Sequence, residues 1–339
     1  MKIAIVGARN IDTMEWNLQE AFSFAGHDCE IFDLYDLSWL FTNKHIAKYS
    51  MTVDRIARQY SDRYDRNIFH KLAVRVKSFN PDLVVCLYRF IHPCFVREIK
   101  QDGRKVIHVN PDQMTTLEYQ QVFASDYDAW FTKDPFIERF MRDKMKLNVF
   151  HYDEAFNKRY HKKPDCSKKE CEEEVNIDVM TYGTFYPYRT RMLKHLLDAG
   201  IDLKVFGTVP RRFYNGEIER ANQHKYIKAE EKSKLLFGSK IVFNQMHFAE
   251  VEGVNCRFFE ANGAGAFQLC DYKPVLKDLL PVDPELVTFR NIDEGIEKIQ
   301  YYLKHPEERY LIADKIYNHF MSKYSYDNLV QYLLEMVQL

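Results

Sequence analysis

The sequence predicts an α/β protein of two Rossmann-like domains facing across a cleft, closed by a short C-terminal helix. Three observations predict this. The first half alternates short apolar runs with helical patterns, as βαβ units of a parallel sheet do. A second series of the same kind begins after residue 175, and a charged, aliphatic-poor stretch at 151–175, HYDEAFNKRYHKKPDCSKKECEEEV, separates the two. At 339 residues the chain exceeds one ordinary core. The expected division is 1–172 for an N-terminal, acceptor-side domain, 173–324 for a C-terminal, donor-side domain, and 325–339 for the terminal helix.

The elements follow in order. KIAIVG at 2–7, CEIFDL at 29–34, DLVVCLY at 82–88, KVIHVN at 105–110 and AWFTK at 129–133 read as buried strands, because apolar runs this short and β-rich suit a sheet covered on both faces. Helical patterns lie between them at 13–25, 52–79, 93–102 and 135–145. In the second series strands are expected at 177–183, 202–207, 239–245, 266–270 and 286–290, and helices at 189–199, 229–237, 255–263, 273–280, 293–304 and 306–320. The last fifteen residues place Leu329, Leu333 and Met336 at helical spacing, and this helix is expected to pack back toward the N-terminal domain.

Composition excludes several classes. With 48 basic and 49 acidic side chains the net charge is -1, which argues against a nucleic-acid coat protein. No apolar run approaches the length that spans a bilayer, and the expected location is cytoplasmic. The basic segment 44–77, with nine Lys or Arg against three Asp, marks a surface for an acidic or lipid-linked acceptor and peripheral membrane contact, or a solvated helix face. Cys166 and Cys171 are the only close cysteine pair, and without a second pair they make a poor zinc site.

Sheets of this kind bind ligands beyond the carboxyl ends of their strands, so candidate residues are sorted by the strand they follow. Gly7 begins a turn lacking the later glycines of a dinucleotide fingerprint. Asp112, directly after KVIHVN and Pro111, is placed for a catalytic or acceptor-binding carboxylate, or for a helix N-cap. Gly183 ends a strand and lets backbone approach a ligand, while Arg189 enters the next helix, where its planar fork suits a phosphate. A solvated first-turn arginine is the plain alternative. Gly207 ends a further strand beside a potential nucleobase edge, and the following Pro210, Arg211 and Arg212 read as a solvated loop. Lys234 and Lys240 flank a helix-to-strand handover, for a phosphate or for the helix dipole alone.

The densest cluster is SKIVFNQMHFAEVEGVNCRFFEANGAGAFQLCD at 239–271. A strand, a loop and a helix opening at Asn255 and Arg257 make an anion site through N–H donors, the helix dipole and the arginine. Glu252 and Glu260 stand eight positions apart, suited to the hydroxyls of a sugar or ribose. Glu260 lies among apolar and small residues in FFEANGAGAF, where an ionised carboxylate is costly unless a hydroxyl or a cation meets it. The glycines and alanines of that run also read as close helix-to-strand packing.

The ordered set DVMTYGTFYPYR, DLKVFG, SKIVFN, GVNCRFFEANGAGAFQLCDY, IEKIQYYLKHPEERYLIA and SYDNL resembles the group-1 glycosyltransferases, and within them the spore maturation (CgeB-like) type. The resemblance covers about half of the chain well, with fainter agreement at FASDYDAWFTKD and VFHYDEAFNKRYHK. It implies the GT-B architecture, a nucleotide-sugar donor in the second domain, and a glycan, lipid-linked or protein acceptor in the first. It implies Glu260 on the donor ribose, Glu252 near the transferred sugar, and Arg189, Lys240 and Arg257 at the diphosphate. Asn255, Gly183 and Gly207 complete the donor set, and Asp112 with Glu252 and Arg257 the catalytic one. No cofactor or metal is implied beyond the nucleotide-sugar, since no Asp-x-Asp cluster is placed to hold an ion and the positive groups take its role. The resemblance alone implies retention of configuration. A sugar-nucleotide epimerase of the same architecture and a non-catalytic nucleotide-sugar-binding module are the competing readings.

Overall fold

The computed structural model describes residues 1–43, 46–114, 120–208 and 216–339. Its backbone forms two wholly parallel sheets. In the first, β1 (Lys2–Val6), β2 (Asp28–Phe32), β3 (Leu83–Cys86), β4 (Lys105–Val109), β5 (Ala129–Thr132) and β6 (Val149–His151) lie in the order β2-β1-β3-β4-β5-β6. In the second, β7 (Ile177–Thr184), β8 (Leu203–Thr208), β9 (Ser239–Asn244), β10 (Gln268–Asp271) and β11 (Thr288–Phe289) lie in the order β11-β10-β9-β7-β8. Both orders change direction once, at β1/β3 and at β7/β9. Such switch points leave a crevice at the carboxyl ends of the two strands concerned.

The chain divides into two compact units, residues 1–153 with 329–339, and residues 154–328. The second unit therefore begins earlier than the boundary expected at 172. The reason is packing: Phe156 is fully buried, its ring lies against Gly263 where a Cβ would come within 2.2 Å, and it bridges to Ser325. Glu172 is likewise tied into this unit by buried Arg309, whose guanidinium donates to both of its carboxylate oxygens at 2.5 and 3.1 Å. In the first unit the terminal segment is fastened by Tyr332, which donates to the His151 carbonyl at 2.8 Å, and by Lys105, which donates to the Val337 carbonyl.

Three local features differ from the sequence reading. The long helix expected at 52–79 is two helices, Ala47–Tyr60 and Asp62–Phe79, because Ser61 leaves the helical conformation and caps the second by accepting from the Tyr64 N–H. The charged stretch at 151–175 contains the end of β6 and the helix Lys168–Val175. That helix has little apolar periodicity, but Ser167 and Glu170 form a reciprocal capping box that offsets its loss. Cys166 and Cys171 at its start are joined as a disulfide. A short helix, Gly216–Ala221, also lies where none was expected. Pro210, Arg211 and Arg212 fall outside the described residues, as does Lys44 of the basic segment.

Each sheet is covered on both faces. Helix Asp62–Phe79 gives Phe69, Leu72, Ala73 and Val76 to the first core, and Phe258, Phe259 and Phe320 anchor the second. His108, on β4, is fully buried in the first core, and burial lowers its pKa from 6.5 to about 3. The unfolded chain therefore binds a proton between those values that the folded chain refuses. This contribution is complete above pH 6.5 and is lost progressively as pH falls toward 3. We expect a His108→Phe variant to show a shallower fall of unfolding free energy over this window, by up to about 1.4 kcal/mol per pH unit. Urea titrations of both proteins at several pH values measure the difference.

Candidate functional site

The groups that define the site stand at the β7/β9 switch point of the second unit. β7 ends in Tyr182, Gly183 and Thr184, and β9 runs into a loop that starts at Gln245 and ends at Asn255. Asn255 is the N-cap of helix Cys256–Gly263. Its Oδ1 accepts from the Phe258 N–H at 3.1 Å, and its amide exchanges two hydrogen bonds with Asn244 of β9 at 3.0 and 3.1 Å. That side chain is thus committed to holding the helix on the strand. What it fixes is the direction of Arg257, the second residue of the helix.

Arg257 spans the switch point. One guanidinium nitrogen donates to the Tyr182 carbonyl on β7 at 2.9 Å and the other to the Gln245 carbonyl beyond β9 at 2.8 Å. Arg189, from the helix Pro187–Asp198, is 1% exposed and donates to the Thr184 carbonyl at 2.6 Å, the Thr181 hydroxyl at 3.1 Å and the Tyr182 carbonyl at 3.2 Å. Its guanidinium also stacks over Phe185, 4.6 Å from the ring centre. Burial first, and then the adjacent Arg257 charge, hold the Arg189 pKa well below the ordinary arginine value. Among the described residues neither arginine has a carboxylate partner. Two like charges side by side, satisfied only by neutral oxygens, favour an anion.

Gly183 makes room for Arg257. Its φ is +107°, and a Cβ there would lie 2.9 Å from an Arg257 nitrogen and 3.6 Å from one of Arg189. Gly207 is its partner across the β7–β8 ladder, where a Cβ would come within 2.2 Å of the Gly183 carbonyl oxygen. The two glycines therefore let the strands and the Arg257 head approach closely. For Gly207 this packing requirement explains the residue without a nucleobase.

Glu260, midway along helix Cys256–Gly263, meets both a hydroxyl and a cation, as its setting demanded. Oε2 accepts from the Tyr182 hydroxyl at 3.0 Å, and Oε1 lies 3.0 Å from Lys232 Nζ. Both partners belong to the protein, so burial alone does not require a ligand hydroxyl at Glu260. Burial and then the Glu260 charge raise the Tyr182 pKa well above its usual value, keeping the hydroxyl a donor. Tyr182 thereby joins Glu260, through its hydroxyl, to both arginines, through its carbonyl.

Glu252 is half-buried in the loop before Asn255. Glu250, two residues earlier, is the buried loop carboxylate and accepts from the His247 N–H at 3.0 Å. Asp271 at the end of β10 accepts from the Met246 N–H at 2.6 Å and secures the start of the same loop.

Two expected lysines, Lys240 and Lys234, are not brought to this group. Lys240 is the second residue of β9, at the amino end of the sheet, and pairs with Asp178 at 2.6 Å. A parallel strand cannot present its first and last residues to one ligand at its carboxyl end. Lys234 pairs with Glu174. Asp112 belongs to the first unit, is exposed, and lies 3.2 Å from an Arg89 nitrogen. No described helix begins there for it to cap.

Lys232 and Tyr182 are the residues that sequence reasoning missed. Lys232 carried a signal: in AEEKSKLLFG it shares a helix face with Leu236, so a lysine sits on the apolar side and must be paired. Replacing Lys232 with Gln should lower stability by about 3 kcal/mol, since it strands a mostly buried carboxylate. A Lys232→Gln/Glu260→Gln double variant should recover part of that loss, and urea unfolding of the two singles and the double closes the cycle.

Residues 189–335 match a protein-family model described as glycosyl transferase-like, a stretch that covers less than half of the chain. No curated protein matches the sequence. Solved structures match along the whole length. Anabaena Alr3699/HepE in complex with UDP-glucose has a TM-score of 0.69 at 9% identity, covering 100% of this chain and 99% of that one. Sucrose-phosphate synthase from Thermosynechococcus elongatus has a TM-score of 0.67 at 11% identity, covering 99% and 98%. T4 phage BGT in complex with UDP and Mn2+ has a TM-score of 0.54 at 12% identity, covering 100% of each. The architecture is therefore GT-B, with six- and five-stranded parallel sheets and their flanking helices.

Proposed function

We propose that this protein is a nucleotide-sugar-dependent glycosyltransferase of group 1, and within it of the CgeB-like type. The single observation that carries the reading is the pair Arg189 and Arg257, two cations without carboxylate partners at the β7/β9 switch point. The glycosyl transferase-like match over 189–335 begins at the first of them. Both support a diphosphate at this place.

In this reading the nucleoside diphosphate of the donor lies on the second unit. Arg257 and the first turn of helix Cys256–Gly263 face the diphosphate, and Arg189 adds its charge from beneath. Glu260 takes the ribose hydroxyls, Glu252 lies toward the transferred sugar, and Gly183 and Gly207 keep the backbone low enough for the nucleoside to approach. Asp112 serves the acceptor, a glycan, lipid-linked or protein hydroxyl, on the first unit. Lys240 is left out of the diphosphate set, and Asn255 acts by holding the helix.

The chemistry follows from charge. The bond between the sugar C1 and the diphosphate oxygen breaks with its electron pair going to the oxygen, a bond from the acceptor oxygen to C1 forms, and the acceptor proton departs to solvent or a carboxylate. Positive charge develops on the sugar and negative charge on the leaving diphosphate. Preorganised cations at the diphosphate stabilise the second change without reorganising during the reaction. We assign to the arginines the role a divalent ion has in other transferases, and we assign retention of configuration to the reaction on the family resemblance. We place the enzyme in the cytoplasm on the sequence reading alone. No described helix is long and apolar enough to cross a membrane.

UDP is the first probe to use, because the HepE structure carries UDP-glucose. UDP at millimolar concentration should raise the melting temperature of the protein. Arg257→Met should weaken UDP binding by about ten- to a hundred-fold, the worth of a charge-assisted hydrogen bond. If no nucleoside diphosphate shifts the melting temperature, the donor-site reading is wrong. Transfer that survives chelation by EDTA supports the charge role of the arginines, and loss of transfer restored by Mn2+ refutes it. Conversion of the donor in the absence of acceptor would select the epimerase instead.

A further inference from the structure

The helix Ala47–Tyr60 in the first unit is turned inside out. An amphipathic helix normally buries its apolar stripe. Here Tyr49, Val53, Ile56 and Tyr60, spaced to share one face, are 75%, 65%, 51% and 81% exposed. The one buried residue of the helix is Asp54. Its carboxylate accepts from Arg58 at 2.8 Å and from the Tyr64 hydroxyl at 3.1 Å, and the Arg58 guanidinium stacks on Phe90. That buried pair pins the polar side of the helix to the unit and so fixes the apolar side outward.

We propose that this helix docks the protein on an anionic lipid surface, lying in the interface with Val53 and Ile56 toward the acyl chains. Charge chooses this occupant over the others. The only acid of the helix is Asp54, already buried and paired, whereas its exposed charged residues are Lys48 and Arg55. Segment 44–77 carries nine basic and three acidic residues in a chain whose net charge is -1, and of this excess Lys48 and Arg55 lie exposed on the helix of the stripe itself. Two copies of the chain meeting face to face here would bring cation to cation, while anionic headgroups compensate them. Tyr49 and Tyr60 bracket the aliphatic pair, and tyrosines at the rim of an apolar patch suit the headgroup boundary. At 14 residues the helix is about 20 Å long, enough to lie on a bilayer and too short to cross it.

This inference is independent of the donor-site reading and is tested separately from it. Full-length protein is sedimented with vesicles of phosphatidylcholine containing about one third phosphatidylglycerol, and with vesicles of phosphatidylcholine alone. Binding is expected to the anionic vesicles and to weaken steeply with salt. A Val53→Asp/Ile56→Asp variant should lose at least about ten-fold in vesicle partition at an unchanged melting temperature, because both side chains are exposed in the folded protein. Lys48→Gln/Arg55→Gln should weaken binding to the anionic vesicles. The proposal is overturned if the unaltered protein ignores anionic vesicles, if the Asp variant binds them equally well, or if the protein is a dimer that Val53→Asp dissociates.

Discussion

The Tyr182 carbonyl is the point on which the second unit's site depends. It accepts from Arg189 and from Arg257, at 3.2 and 2.9 Å, while the hydroxyl of the same residue donates to Glu260. A buried guanidinium is costly unless every donor finds an oxygen. Ordinary proteins solve this with a carboxylate, and the unit does so for Arg309 with Glu172. At the switch point it uses carbonyl and hydroxyl oxygens and an aromatic ring, which satisfy the terminal guanidinium nitrogens, leave Arg189 Nε without a partner among the described residues, and leave the charge uncancelled.

The geometry around this carbonyl requires two absences of side chain. Gly183 clears space for the Arg257 head, and Gly207 clears space for Gly183. The requirement runs outward from the charge to the neighbouring strand, so Gly207 is constrained by a charge it does not itself touch. Asn255 belongs to the same chain of dependence. Through Asn244 and the Phe258 N–H it fixes the start of a helix, and the helix fixes Arg257.

Glu260 shows how a buried-charge argument can be right in physics and incomplete in consequence. Its carboxylate does need a cation and a hydroxyl, and it has them in Lys232 and Tyr182. A ligand hydroxyl would join an existing network, whose members already hold the carboxylate in one orientation. The first unit contains the inverse case in the helix Ala47–Tyr60. There a buried Asp54–Arg58 pair sends apolar side chains into solvent.

The amino-acid sequence by itself determined the central strands of both parallel sheets, since each is a short apolar run that can only be covered on two faces. It also determined the local segment that carries Asn255, Arg257 and Glu260, because loop, cap and helix are contiguous. The three-residue β6 and the helix Lys168–Val175 were not legible from periodicity, being too short or too charged, although the capping residues Ser167 and Glu170 stood in plain view. Only tertiary structure decided which distant residues meet. Arg257 reaches the Tyr182 carbonyl because strand order puts β7 beside β9, and Lys232 reaches Glu260 from a separate helix, whereas Lys240, close to the site in sequence, is carried to the other end of its strand. Periodicity reports which face of an element is apolar; which end of a strand faces a ligand, and which cation lacks an anion, depend on contacts between residues far apart in the chain.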